Sequence, residues 1–325
     1  MRRNNKIASL IMSVALITCA GSFGSLAAAT GVSAIDFSAY NTASIPGTGS
    51  GVSNASSAAG TSGLPAQSVQ AAQMTQQSGS SYDESINAQF RLGTYTASTG
   101  AVIIGPVSAI DTSSLSAAQT TALDQYFQNS VIVGNSIGNG FALYTKKHTD
   151  DPVLKNFQSL TANGFYIEGA FEDISTSSRH PFYMGQQRYV WDSIQLMGAK
   201  HVFLSFGTTE VQFPSVLDDY QKLINQIKTV NPDVDITVIS ATYIYPGKYY
   251  GTMTSANVKS FNQSMEQICA ANGWSFINVA DRLADANGDL DPVYSSDEYI
   301  HQNDQAYDIW TAALKEYGLK KLGMA

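Results

Sequence analysis

The chain has 325 residues, a net charge of -8 and a pI near 4.9. This length suffices for one large folded domain with its own core. The acidic balance argues against nucleic acid or an anionic lipid surface as the partner.

The first 34 residues have the order of a secretory signal. Basic residues come first, an apolar run follows, and small residues suited to cleavage end the segment: Arg2, Arg3 and Lys6, then 7–20, then 27–29 and 32–34. A permanent membrane anchor is the alternative, but Gly21 and Ser22 interrupt the run before it spans a bilayer. We predict a signal peptide over 1–34, a secreted or cell-surface protein, and no stable membrane insertion after signal removal. Cys19 leaves with the signal, so Cys269 stays unpaired.

The next segment predicts a linker. No charged residue occurs from Phe37 to Ser81, and Ser, Ala, Gly, Thr and Gln dominate. Such a composition buries too little apolar surface to offset the entropy of ordering it. We therefore predict a low-complexity flexible linker over 35–82 and a folded domain over 83–325.

Within that domain, apolar runs alternate with segments of helical period. Strands are predicted at 130–133, 165–168, 202–206, 236–240 and 275–279. Helices are predicted at 116–127, 154–160, 189–197, 216–230, 258–271 and 304–317. This alternation is typical of an α/β domain with a mostly parallel, five-stranded sheet covered by helices on both faces.

Three candidate functional segments follow from that order. Ser136 comes directly after the first strand, residues 207–210 follow the third, and His301 precedes the last helix. Because reactive groups gather at the carboxyl ends of parallel strands, we expect these segments to meet at one edge.

Ser136, His301 and a nearby carboxylate are the elements of nucleophilic catalysis. A serine hydroxyl needs a base to take its proton, and the histidine needs a carboxylate to orient it. Asp297 lies four residues before His301, and Glu298 lies three before it. The alternative is a solvated loop in which His301 is an ordinary surface residue.

The chain resembles the SGNH/GDSL hydrolase family in this pattern. The resemblance covers about residues 130–317 and includes a His-Pro-x-Tyr-x-Gly segment at 180–185 and the last block at 296–302. It implies a three-layer α/β/α sandwich of flavodoxin-like order. It also implies Ser136 as the nucleophile, His301 as the base and Asp297 as the triad acid, with Glu298 as the alternative acid.

The resemblance further implies an oxyanion hole. Its donors are the Ser136 N–H, a glycine N–H after the second strand, for which we take Gly164 before Gly169, and the third-block position, which is Thr209. The family has asparagine at that last position and aspartate where this chain has Asn135. Loss of one oxyanion donor costs on the order of 10²- to 10³-fold in rate, so Thr209 is the departure that matters for activity.

From these residues we expect an exported serine esterase that needs no cofactor or metal and cleaves small O-acyl esters such as acetyl groups. The predicted substrate is a small ester or an O-acylated polysaccharide. Candidates for a sugar-binding rim are Tyr243, Tyr245, Tyr249 and Tyr250, although packing or loop solvation is the favoured role for each of them singly. The alternative is a catalytically weakened module of the same fold that binds glycan or cell-envelope material.

Overall fold

The computed structural model describes residues 100–325, so the predicted signal, the linker and the first part of the predicted domain lie outside the described residues. The described part contains a parallel sheet of six strands, one more than the sequence predicts. Its strands are β1 (Ile103–Ile104), β2 (Ser130–Gly134), β3 (Phe157–Thr161), β6 (His201–Ser205), β7 (Asp235–Ile239) and β8 (Ser275–Ile277). A separate antiparallel hairpin consists of β4 (Phe182–Tyr183) and β5 (Gln186–Gln187).

The strand order locates the functional edge. Across the sheet it reads β1-β8-β7-β6-β2-β3, with every pair parallel. Without the short β1, this is the flavodoxin-like order, which confirms the predicted fold class. The order reverses between β2 and β6, and ligands bind outside the carboxyl ends of the strands at such a switch point.

Six α-helices lie in the described part of the chain: α1 (Ala117–Tyr126), α2 (Ser136–Thr145), α3 (Val190–Met197), α4 (Val216–Val230), α5 (Ser255–Asn272) and α6 (Asp304–Lys321). Helix α6 packs against α1 and α2, whereas α3 packs against α4, so helices cover the sheet in two groups. Stacking of Phe141 on Trp310 joins α2 to α6. None of the helices within residues 100–325 is long and apolar enough to cross a membrane.

Two predicted elements are wrong, and both lie around β3. The predicted helix 154–160 is a single 3-10 turn at Leu154–Asn156 followed by β3. The predicted strand 165–168 is a turn that leads into a 3-10 helix at Glu168–Phe171. Phe165 and Ile167 are buried as a strand would bury them, yet periodicity in so short a run does not distinguish a strand from a buried turn.

Residues 103–127, which precede β2, pack into the folded domain. Leu123 and Phe127 are fully buried, and Gly318 of α6 is so close that an added Cβ would lie 2.5 Å from the Leu123 side chain. Arg282 donates to the carbonyl of Gly105 and pairs with Glu316 at 2.9 Å. The Glu316 side chain is fully buried, so this ion pair fastens the segment after β1 to α6.

We predict that Glu316→Ala lowers the free energy of unfolding by about 3–5 kcal/mol, because it leaves the charge of the buried Arg282 guanidinium without a carboxylate to balance it. The double variant Arg282→Met/Glu316→Leu removes both charges, so it is expected to recover most of that loss. Urea titration of the three proteins measures this, and a double variant no more stable than Glu316→Ala contradicts it.

The same pair predicts a dependence on pH. Burial disfavours the Glu316 carboxylate, but hydrogen bonds from Arg282 and Lys320 outweigh burial and lower its pKa. The stability it contributes is therefore fully present above the pKa of an unfolded glutamate and is lost as the pH falls through the lowered pKa of the folded state. The difference in free energy of unfolding between wild type and Glu316→Gln, measured by urea titration, should shrink as the pH falls from the pKa of an unfolded glutamate to the lowered pKa of Glu316.

Candidate active site

Ser136 stands at the turn between β2 and α2. Val131, Ile132 and Val133 are fully buried, so the strand runs through the core to this edge. Asn135 then caps α2, its Oδ1 accepting from the Ile137 N–H at 3.0 Å. Ser136 is thus the first residue of the helix, where its own N–H has no acceptor within the helix.

The loop before α6 brings His301 to Ser136. His301 Nε2 lies 2.9 Å from Ser136 Oγ, and His301 Nδ1 lies 2.5 Å from Asp297 Oδ2. The structure therefore joins the three predicted triad side chains in one series of hydrogen bonds. It places Asp297, and not Glu298, against the imidazole.

Backbone hydrogen bonds fix Asp297 in that position. Its Oδ1 accepts from the N–H groups of Tyr299, at 2.9 Å, and His301, at 3.1 Å, while Oδ2 faces the ring. Glu298 takes a positive φ of 55°, and its N–H donates to Ser295 Oγ. This tight turn brings the carboxyl of Asp297, four residues earlier in the chain, to the ring of His301.

The hydrogen bonds also set the charge of Asp297. Partial burial raises the pKa of its carboxyl, but the hydrogen bonds and charge of His301 and the two backbone N–H groups outweigh that effect, and the pKa is lowered. The lowered pKa favours the ionised form of Asp297, which is the form that orients an imidazole in a catalytic triad.

The predicted oxyanion donors lie at the same edge. Gly164 is in the exposed turn after β3, with a φ of 72°, and its N–H has no acceptor among residues 100–325. Gly169, the alternative, is buried in the 3-10 helix further along the chain. Thr209 is partly buried in the turn after β6, and its Oγ1 lies 3.5 Å from Asn135 Nδ2.

The sequence analysis placed residues 207–210 at this edge but gave Glu210 no role in the site. Only 2 % of Glu210 is exposed. Its Oε2 accepts from the Gly207 N–H at 2.8 Å and from Thr209 Oγ1 at 3.0 Å, and its Oε1 accepts from Asn135 Nδ2 at 3.4 Å. An acid directly after Thr209 in a strand-ending turn was the available signal, but its burial depends on contacts that the sequence does not display.

Several other residues have clear positions. Tyr243 is buried and donates to Asp281, so the prediction that it lines a rim is wrong. His180 is buried and its Nε2 lies 2.8 Å from the Glu172 carbonyl oxygen. Tyr249 and Tyr250 are exposed, and the Tyr245 N–H donates to the Tyr299 carbonyl beside the His301 loop. The described residues contain no cluster of three or more His, Cys, Asp or Glu that could hold a metal ion.

Comparison with known proteins gives one family and several similar structures. The model of the GDSL-like lipase/acylhydrolase family matches residues 132–309. A GDSL-like lipase from Bacteroides thetaiotaomicron is 14% identical, with a TM-score of 0.45 and coverage of 60% of this chain and 90% of its own. A catalytic mutant of an acetylxylan esterase from Geobacillus stearothermophilus is 13% identical, with a TM-score of 0.42 and coverage of 61% and 95% respectively. None of the curated proteins matches.

We predict that Gly207→Ala unfolds at a distinctly lower temperature than Gly247→Ala. Both glycines have positive φ, but a Cβ on Gly207 would lie 2.5 Å from the Phe261 ring and 2.7 Å from Ala241 Cβ, whereas Gly247 faces open space. Backbone strain is also larger in Gly207→Ala, because a φ of 124° lies far outside the left-handed region, whereas the 74° of Gly247 lies close to it. Overpacking adds about 1–3 kcal/mol to the loss in Gly207→Ala alone. Equal denaturation midpoints for the two variants contradict this.

Proposed function

The chain belongs to the GDSL-like lipase/acylhydrolase family, and from this premise we propose that it is an exported serine esterase that removes small acyl groups from hydroxyls. The observation that carries the proposal is the series of hydrogen bonds from Ser136 through His301 to Asp297, at 2.9 and 2.5 Å. The predicted signal at 1–34 supports export.

In the proposed reaction, Ser136 Oγ attacks the ester carbonyl while His301 Nε2 takes its proton. The tetrahedral intermediate collapses when the imidazolium returns that proton to the leaving alcohol, and the acyl group stays on Ser136. Water, deprotonated by the same imidazole, then releases the acid. Asp297 stabilises the imidazolium in both halves and is not itself protonated.

The oxyanion needs donors that are already in place before the reaction. The Ser136 N–H at the start of α2 and the Gly164 N–H support the proposal as two such donors. Thr209 is the third candidate, with a hydroxyl in place of the family's amide.

The proposed substrate is an acylated carbohydrate, because an aromatic surface adjoins the His301 loop. We define this surface as Tyr249, Tyr250 and Tyr299. Tyr250 is 70% exposed, and Tyr249 is 46% exposed, with its hydroxyl held 2.5 Å from Asp289 Oδ2. Fixed, exposed aromatic rings present the apolar faces on which sugar rings stack.

A non-catalytic glycan-binding module is the second candidate, and one observation favours it. Thr209 Oγ1 lies 3.0 Å from the Glu210 carboxyl, so an ionised Glu210 takes the only hydrogen of this hydroxyl away from an oxyanion.

We expect the purified domain to hydrolyse p-nitrophenyl acetate and Ser136→Ala to lose at least about 10³-fold in kcat, because the nucleophile is gone. Asp297→Asn should lose about 10²- to 10⁴-fold through loss of the imidazole's orientation. Glu298→Gln is the matched control, since it removes the neighbouring carboxylate that does not contact His301, and it should stay within about twofold.

Two results contradict the esterase. Equal, slow hydrolysis by wild type and Ser136→Ala shows that Ser136 is not a nucleophile. Inactivity of both wild type and Thr209→Asn, together with binding of acetylated glycan, establishes the binding module in its place.

For the carbohydrate substrate, we predict that Tyr250→Ala raises KM for an acetylated oligosaccharide about 10-fold, since aromatic contacts of this kind contribute roughly 1–2 kcal/mol. The KM for p-nitrophenyl acetate should not change, because that substrate has no sugar to stack. Leu196→Ala, which truncates an exposed apolar side chain near the end of α3, is the control. An equal change of KM for both substrates excludes a role in sugar recognition.

A further inference from the structure

The buried carboxyl of Glu210 has no role in the reaction as described, yet it touches both turns that form the site. It bonds to Asn135 beside the nucleophile and to Gly207 and Thr209 after β6. All three partners are neutral donors. A buried carboxylate without a cationic partner is costly, so this setting favours the neutral acid.

The direction in which the Thr209 hydroxyl donates its hydrogen depends on the charge of Glu210. A hydroxyl has one hydrogen to donate and two lone pairs that accept. When Glu210 is ionised, Thr209 donates its hydrogen to Oε2 and keeps none for substrate. When Glu210 is neutral, its own O–H donates to Thr209 Oγ1, and Asn135 Nδ2 approaches the same oxygen at 3.5 Å. The Thr209 hydrogen is then free.

We propose that Glu210 is a positioning residue which, as a neutral acid, donates to Thr209 Oγ1 and thereby directs the Thr209 hydrogen to the oxyanion. The proposal rests on the esterase function and explains how a threonine serves where the family has an amide. No proton leaves Glu210 during turnover, because only the direction of one hydrogen bond differs between the two charge states.

The surroundings of Glu210 agree with a neutral acid. Burial raises the pKa of its carboxyl, and the hydrogen bonds from Gly207, Thr209 and Asn135 only partly oppose this. Tyr220 of α4 is the buried titratable group beside it, and Glu168 and Asp219 line the same small pocket as Glu210.

Infrared spectroscopy of the purified full domain tests the charge directly. We expect the carbonyl stretch of a protonated carboxylic acid in wild type at the pH where the enzyme is active, and its loss in Glu210→Gln. Glu168→Gln, which neutralises another carboxyl of the same cavity, should keep the band. Absence of the band from active wild type overturns the proposal.

Kinetics test the consequence. Thr209→Val should lower kcat about 10²-fold with KM little changed, since it removes a donor used only in the transition state. Glu210→Ala and Glu210→Gln should both lose a similar factor, because an amide nitrogen in the place of Oε2 cannot donate to Thr209 and also accept from the Gly207 N–H. As the pH rises and the infrared band disappears, kcat of wild type should fall, whereas kcat of Glu210→Gln should not follow that fall.

Each other result counts against the proposal. Full activity in Thr209→Val shows that the Thr209 hydroxyl takes no part in the reaction. Full activity in Glu210→Ala shows that the carboxyl has no part in the reaction, and persistence of wild-type kcat after the band has gone shows that its charge is irrelevant. If wild type has no esterase activity, the proposed function fails, while the infrared band still reports the state of Glu210 separately.

Discussion

The close approach of the ends of β2 and β6 is the constraint on which the site depends. Gly134 pairs with Ser205 across these strands, and a Cβ on Gly134 would lie 2.7 Å from the Ser205 carbonyl oxygen. Only glycine lets the two parallel strands reach the edge at this distance. The turn after one strand then presents Ser136, and the turn after the other presents Thr209 and Glu210. Their positions are fixed by the hydrogen bonds of the sheet before any substrate arrives, which is the condition for donors to stabilise charge without reorganising.

Two carboxyls near this edge lie in opposite environments. Asp297 is partly exposed and accepts from N–H groups and an imidazole, so its pKa is lowered. Glu210 is buried among neutral donors, so its pKa is raised. Environments that push the pKa values of two acids apart assign them different roles. Asp297 is suited to stabilising a positive charge on His301, whereas Glu210 is suited to donating a hydrogen bond as a neutral acid. The order of residues alone does not reveal this division.

The sequence predicts the features that depend on local pattern. Buried apolar runs identify β2, β6 and β7, and the edge location of Ser136 and His301 follows from parallel topology. Helix α2 was not predicted, because the small residues after Ser136 give little periodicity. The exchange of strand and helix around β3 has a similar cause, since residues 154–168 alternate short apolar runs that suit either state. The burial and role of Glu210 could not be predicted, because the elements that cover it, α4, α5 and the turn after β2, are distant in sequence and meet only in the folded chain.

The two departures from the family pattern belong to one hydrogen-bonded unit. An aspartate in place of Asn135 would put a carboxylate oxygen about where Nδ2 now lies 3.4 Å from Glu210 Oε1. When the O–H of a neutral Glu210 donates to Thr209, Oε1 carries no hydrogen, so two acceptors would face each other. Asparagine there donates to Glu210 through Nδ2 and still caps α2 through Oδ1. Its amide also approaches Thr209 Oγ1, which a carboxylate could not donate to. Asparagine at 135 is therefore compatible with both a buried Glu210 and a threonine at 209. Hydrogen bonds among these three side chains hold the turns after β2 and β6 together.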